Sequence, residues 1–168
     1  MEIWDGYYED GTKAGVDLIR GDAIPGGLYH LVCDVLVRHK DGAYLLMLRD
    51  YNKDIHPGEW QATAGGSALK GENALQCAKR ELLEETGLEA ETFAEVYSEV
   101  YYEKQVLFHC YVCEVDCDKD CVTLQEGETI DHKWLPEEEF IDFVNSDGMM
   151  KGQRRRYAGW LRDMGYLR

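Results

Sequence analysis

The chain has 168 residues and 45% hydrophobic content, enough to bury one core of ordinary domain size. Its 33 acidic and 18 basic residues give a net charge of -15, a field that repels nucleic-acid polymers and anionic membrane surfaces. No stretch approaches the roughly 20 apolar residues of a membrane span and nothing near Met1 reads as a leader, so a cytoplasmic chain whose six cysteines remain thiols is expected.

In chain order, residues 2–20 alternate loosely around Glu9-Asp10-Gly11 and predict an accessory N-terminal hairpin. Trp4, Tyr7 or Tyr8 of this hairpin is expected to help line the substrate pocket or a dimer interface. Residues 28–38 and 43–49 read as strands joined at Lys40-Asp41-Gly42. A loop with His56-Pro57-Gly58 leads to a short strand over 60–64 that ends at Gly65-Gly66. A helix follows, with Asn73 as N-cap, Gln76 completing a capping box and Gly87 closing a Schellman end in which Leu88 packs on Leu83. Leu75, Ala78 and Leu82 are its expected buried stripe. Residues 92–102 and 106–115 read as a further hairpin and 125–134 as another strand. Pro136 with Glu137, Glu138 and Glu139 opens a helix, and part of 153–164 forms the last one. This order predicts one α/β (α+β) unit over 1–168, divided into the hairpin (1–27), a core (28–145) and a C-terminal helix (146–168).

Glu81, Glu84 and Glu85 stand at i, i+3 and i+4, which puts three carboxylates on one helix face within about 6 Å of each other at Cβ. They repel one another, and they lie near the negative end of the helix dipole. A hard divalent cation such as Mg²⁺ or Mn²⁺ offsets both penalties, because carboxylate oxygens are its preferred ligands.

These glutamates belong to a longer pattern: Gly66, five residues, Glu72, seven residues, Arg80-Glu81, Leu82, one residue, Glu84-Glu85, one residue, Gly87, Leu88. Seven fixed identities at ~7% usage each recur by chance in a chain of this length with a probability on the order of 10⁻⁶. The pattern resembles the Nudix box in full. The resemblance implies a mixed β-sheet sandwiched between helices, and metal-dependent hydrolysis of a diphosphate linkage in a small nucleotide-like substrate, with homodimers common. Carried over by residue, it implies Glu81, Glu84 and Glu85 as metal ligands with the Gly65 carbonyl beside them. Glu81 or a carboxylate outside the box then helps to deprotonate water, Arg80 orients a glutamate, and Glu72 pairs with Arg80. Trp60, Arg49 and Tyr102 are candidate substrate contacts. Glu126 and Glu128 are candidates for an additional base or ligand, or are solvated loop acids. Bound metal would also reconcile a phosphate-bearing substrate with the charge of -15.

Tyr29-His30-Leu31 and His56-Pro57-Gly58-Glu59-Trp60 also resemble the isopentenyl diphosphate isomerase branch. The cysteine and histidine which that chemistry requires are replaced by Gly65 and Ser67, so the isomerase is disfavoured. A non-catalytic ligand-binding module is the other alternative, and the complete set of carboxylates argues against it. Cys110, Cys113, Cys117 and Cys121 have spacings reminiscent of zinc, but an offset of three on a strand sends Cys110 and Cys113 to opposite faces. Arg154-Arg155-Arg156, the one basic cluster, is a candidate phosphate or dimer contact, with a solvated helix face that pairs with surplus acid as the favoured reading.

Overall fold

A computed structural model describes residues 1–168. Strands β1 (Ile3–Tyr7) and β2 (Lys13–Ile19) form the N-terminal hairpin as a sheet of their own. The main sheet contains β3 (His30–His39), β4 (Tyr44–Arg49), β5 (Trp60–Gln61), β6 (Thr63–Ser67), β7 (Phe93–Tyr101), β8 (Val106–Val115) and β9 (Thr129–Leu135). Its central pair, β3 and β8, runs parallel from His30 opposite Val106 to His39 opposite Val115, and every other pairing is antiparallel. The sheet is therefore mixed, as expected.

Strand alternation sorts the core into two layers. Leu31, Cys33, Val35 and Val37 of β3, Leu45 and Met47 of β4, and Leu107 and Cys113 of β8 pack with Cys77, Ala78 and Leu82 of helix α1 (Ala74–Thr86). Leu36, Tyr44, Leu46 and Cys110 pack instead with Phe140 and Val144 of α2 (Glu137–Val144) and with Tyr157 and Leu161 of α3 (Lys151–Asp163). Helices cover both faces, and Cys110 and Cys113 do fall in opposite layers. All six cysteines are free thiols. No helix is long and apolar enough to cross a membrane.

Three local expectations are corrected. Gly65 and Gly66 lie inside β6 and do not end it, because Ala62 separates two short strands that pair with different neighbours, β5 with β4 and β6 with β3. Leu75 is 40% exposed: the buried face of α1 is centred on Ala78, Glu81, Leu82 and Glu85, which turns Leu75 to its margin. Gly87 does adopt the left-handed conformation (φ 71°) and donates to the Leu83 carbonyl at 2.8 Å. Leu88, however, is buried in the core while Leu83 stays half exposed, so the end is a single-bond αL cap without the Schellman contact. The N-terminal capping box forms as expected, with Asn73 and Gln76 exchanging two bonds of 2.9 Å.

Candidate active site

The Gly66–Leu88 segment forms the end of β6, a loop and α1, and Arg80 binds the three together. Its Nε and Nη2 donate to the two oxygens of Glu72 at 2.7 and 3.0 Å, and Nη2 also donates to the Ser67 carbonyl at 3.0 Å. Nη1 donates to Glu81 at 2.7 Å and to Glu84 at 3.0 Å. Glu72 also accepts from the Leu69 amide at 2.9 Å, which fixes the loop from its other side. Partial burial pushes the Glu72 carboxyl up, but the Arg80 guanidinium and the Leu69 amide outweigh it and hold Glu72 below its ordinary value. The expected Glu72–Arg80 pair is thus present as a two-pronged ion pair.

Glu81 and Glu85 are turned into the protein, at 9% and 6% exposure. Burial pushes the Glu81 carboxyl up, and Arg80 offsets only part of that effect. Glu85 is pushed well above its ordinary value, first by burial and then by the negative charges of Glu81, Glu128 and Asp34. Its Oε2 atom is buried without a hydrogen-bond partner. Glu84 is half exposed and ion-paired with Arg80. In this arrangement no three ligating side chains already converge on one point, since Glu81 and Glu84 both turn to Arg80.

A cleft of about 310 Å³ opens onto these groups. Its lining includes Gly65, Gly66, Glu81, Glu84, Glu85 and Arg80 from the box region, Arg49, Lys53 and Glu128 from the connections around β4 and β9, and Glu2 and Arg20 from the hairpin. Leu69 is the only hydrophobic lining residue. The two glycines are space requirements. A Cβ on Gly65 would sit 2.1 Å from the Cys33 carbonyl of β3, and one on Gly66 would sit 2.6 Å from the Glu81 carboxylate.

Of the remaining candidates, Arg49 and Glu128 line the cleft and Trp60, Tyr102 and Glu126 do not. Arg49 ties the loop after β4 to the sheet by donating to the Ile55 carbonyl (2.8 and 3.1 Å) and to Gln61 (2.9 Å). Glu128 is paired with Lys53 at 2.5 Å. Trp60 lies under the Lys133 ammonium, 4.1 Å from the ring centre, and packs on the α2/α3 layer. Tyr102 is 60% exposed, and its hydroxyl donates to Glu9. Trp4 and Tyr7 are buried anchors of the hairpin, with Trp4 stacked on His30 at 4.3 Å, and neither lines the cleft.

Sequence reasoning missed Asp34, Lys53, Glu2 and Arg20. Asp34 alone left a signal, an acid within the apolar run of β3. It is buried against Arg156 of α3, whose guanidinium also covers the Phe108 ring. The Arg156 side chain is therefore mostly covered, at 12% exposure, which corrects its reading as part of a solvated face. Arg155 does follow that reading, pairing with Glu99.

The family model for the NUDIX domain matches residues 28–159. The chain belongs to the Nudix family. It is 31% identical to an uncharacterised Nudix hydrolase of Listeria monocytogenes, over 88% of this chain and 87% of that one. It is 28% identical to Nudix hydrolase 3 of Arabidopsis thaliana, over 87% of this chain but 21% of that protein. Among solved structures, DR0079 of Deinococcus radiodurans superposes with a TM-score of 0.70 at 20% identity, covering 93% of this chain and 99% of that one. A MutT protein from Methanosarcina mazei gives 0.63 at 24% identity, over 81% and 95% of the two chains. The family is one of hydrolases, and its fold is the one seen in this chain.

Proposed function

We propose that this Nudix protein hydrolyses a diphosphate linkage in a small phosphorylated molecule, with Mg²⁺ or Mn²⁺ held by Glu81, Glu84 and Glu85 and the Gly65 carbonyl nearby. The observation that carries the reading is the buried, unpartnered Oε2 of Glu85, a residue that lines a polar cleft together with a second buried carboxylate, Glu81. A buried acceptor of this kind costs about 1–3 kcal/mol unless something occupies it, and a hard divalent ion suits it. When bound, such an ion would screen the diphosphate, polarise a phosphoryl oxygen and lower the pKa of coordinated water.

The chain's own residues supply the rest. Arg80 keeps Glu81 and Glu84 close together despite their repulsion, and Glu72 holds Arg80 in place. Glu81, raised by burial and lining the cleft, is suited to take a proton from an attacking water; Glu128 lines the same cleft as a further carboxylate. Gly65 and Ser67 line the cleft at the places where an isomerase would need its cysteine and histidine, and neither can move a proton to carbon.

The test is turnover of nucleoside triphosphates, sugar nucleotides, prenyl diphosphates and ADP-ribose, the last bound by the Nudix domain of Shewanella oneidensis NrtR, which shares this fold. At least one compound should yield phosphate-ended products in Mg²⁺ or Mn²⁺ and none in EDTA. Turnover that survives chelation, or its absence across the whole panel, would contradict the reading.

A further inference from the structure

The N-terminal hairpin lies outside the segment matched by the family model, yet it contributes Glu2 and Arg20 to the cleft. It is fastened to the box loop in several places. The Lys70 amide donates to the Ile3 carbonyl at 2.9 Å, the Gly71 amide to Asp5 at 2.8 Å and the Tyr7 hydroxyl to the Glu72 carbonyl at 3.3 Å, while Lys70 pairs with Asp17 at 2.6 Å. Through these contacts the hairpin is fixed relative to the carboxylates and its side chains are set beside them.

The cations that line the cleft differ in what they leave free. Arg80 is spent on Glu72, Glu81, Glu84 and the Ser67 carbonyl. Arg49 is spent on the Ile55 carbonyl and Gln61, and Lys53 is paired with Glu128. Arg20 makes one bond, from Nη1 to Glu2 at 2.9 Å, and its side chain is 64% exposed, so Nε and Nη2 stay open. Glu2 is itself steadied by Trp4, whose Nε1 donates to it at 2.7 Å. A guanidinium held from one side with its remaining donors open is prepared for a second anion.

We propose that Arg20 is a specificity-determining residue that binds an anionic group of the substrate beyond the scissile diphosphate, so that the substrate is a hydrophilic compound carrying at least three phosphate-type charges. The inference builds on the diphosphatase reading. The single hydrophobic residue in the lining supports it from the other side, because a prenyl chain would find almost no apolar surface there.

The test is equilibrium binding of inorganic tripolyphosphate and of pyrophosphate in the presence of Mg²⁺ to the full chain, to Arg20→Gln and to Arg20→Lys, with turnover of the functional panel recorded on the same preparations. The unaltered protein should bind tripolyphosphate about tenfold or more tighter than pyrophosphate. Arg20→Gln should remove that preference while leaving pyrophosphate affinity within about twofold, and Arg20→Lys should recover most of it. Equal affinity of the unaltered chain for the two ions, or unchanged tripolyphosphate binding by Arg20→Gln, would overturn the proposal. An equal loss for both ions would also overturn it, since it would make Arg20 only an anchor of the hairpin. Loss of the preference in a protein that hydrolyses nothing would sink the diphosphatase reading and leave the assignment of Arg20 standing.

Discussion

In the metal-free chain the charge of Glu85 is a net cost, because burial and neighbouring acids outweigh the one backbone hydrogen bond from Gly65 that favours it. Its carboxyl is buried, one oxygen is unpartnered, and the charges that act on it, Glu81, Glu128 and Asp34, are all negative. Replacing it with Gln keeps its size and removes the charge, so the metal-free Glu85→Gln protein should be more stable than the parent by on the order of 1 kcal/mol near neutral pH, read by urea denaturation in EDTA. The pH dependence has a definite sign. The folded pKa lies above the ordinary value of 4.5, so the folded chain holds a proton that the unfolded chain releases. This residue's penalty is therefore absent below about 4.5 and grows as pH rises through the folded value. The advantage of Glu85→Gln over the parent should vanish in acid and widen toward neutral pH; an advantage that shrinks with rising pH would contradict the burial argument. The spacing of Glu81, Glu84 and Glu85 made them legible in the sequence as a cluster. Which two would be buried was not, because that depends on where Ala78 and Leu82 meet the sheet.

At the scale of elements, β6 and α1 meet through glycine. The backbone of β3 would clash with a Cβ on Gly65 at 2.1 Å, whereas Gly66 would clash only with the end of the Glu81 side chain. The two substitutions should therefore separate. Gly65→Ala should cost about 2–3 kcal/mol of stability, because β3 and β6 must part to admit the methyl group. Gly66→Ala should cost less than about 1 kcal/mol while displacing the Glu81 carboxylate and abolishing metal-dependent turnover. Similar melting temperatures for both, or full activity in Gly66→Ala, would contradict this assignment. Most elements were legible because their signals are local: Asn73 and Gln76 cap a helix, Asp41-Gly42 turns a hairpin, and Pro136 with three glutamates opens α2. Leu75 and the glycines of β6 were misread for a physical reason. A periodicity argument sends acids outward and treats Gly-Gly as a breaker, and both rules fail where a helix turns carboxylates inward and a strand needs close approach.

At the scale of the whole molecule, the cleft is assembled from parts distant in sequence. The hairpin brings Arg20, the end of β4 brings Arg49 and the turn before β9 brings Glu128; away from the cleft, α3 is joined to β3 by the Arg156–Asp34 pair. No sequence signal marks such meetings, which is why Arg20 escaped a reading that recovered the box and Arg156 was placed on a solvated face. Arg156→Leu should strand the Asp34 carboxylate in the interior and cost about 3–5 kcal/mol, measured by urea denaturation; a loss under about 1 kcal/mol would mean that water reaches Asp34. The acidic surface implied by a net charge of -15 leaves bound cations as the natural intermediary for a polyanionic substrate. That intermediary is the centre of the account, and Mn²⁺ binding followed by loss of the free-ion paramagnetic resonance signal tests it most directly. The unaltered chain should take up at least one Mn²⁺ and Glu85→Gln should bind it at least about tenfold more weakly while remaining folded. Equal Mn²⁺ uptake by the two proteins would contradict the account.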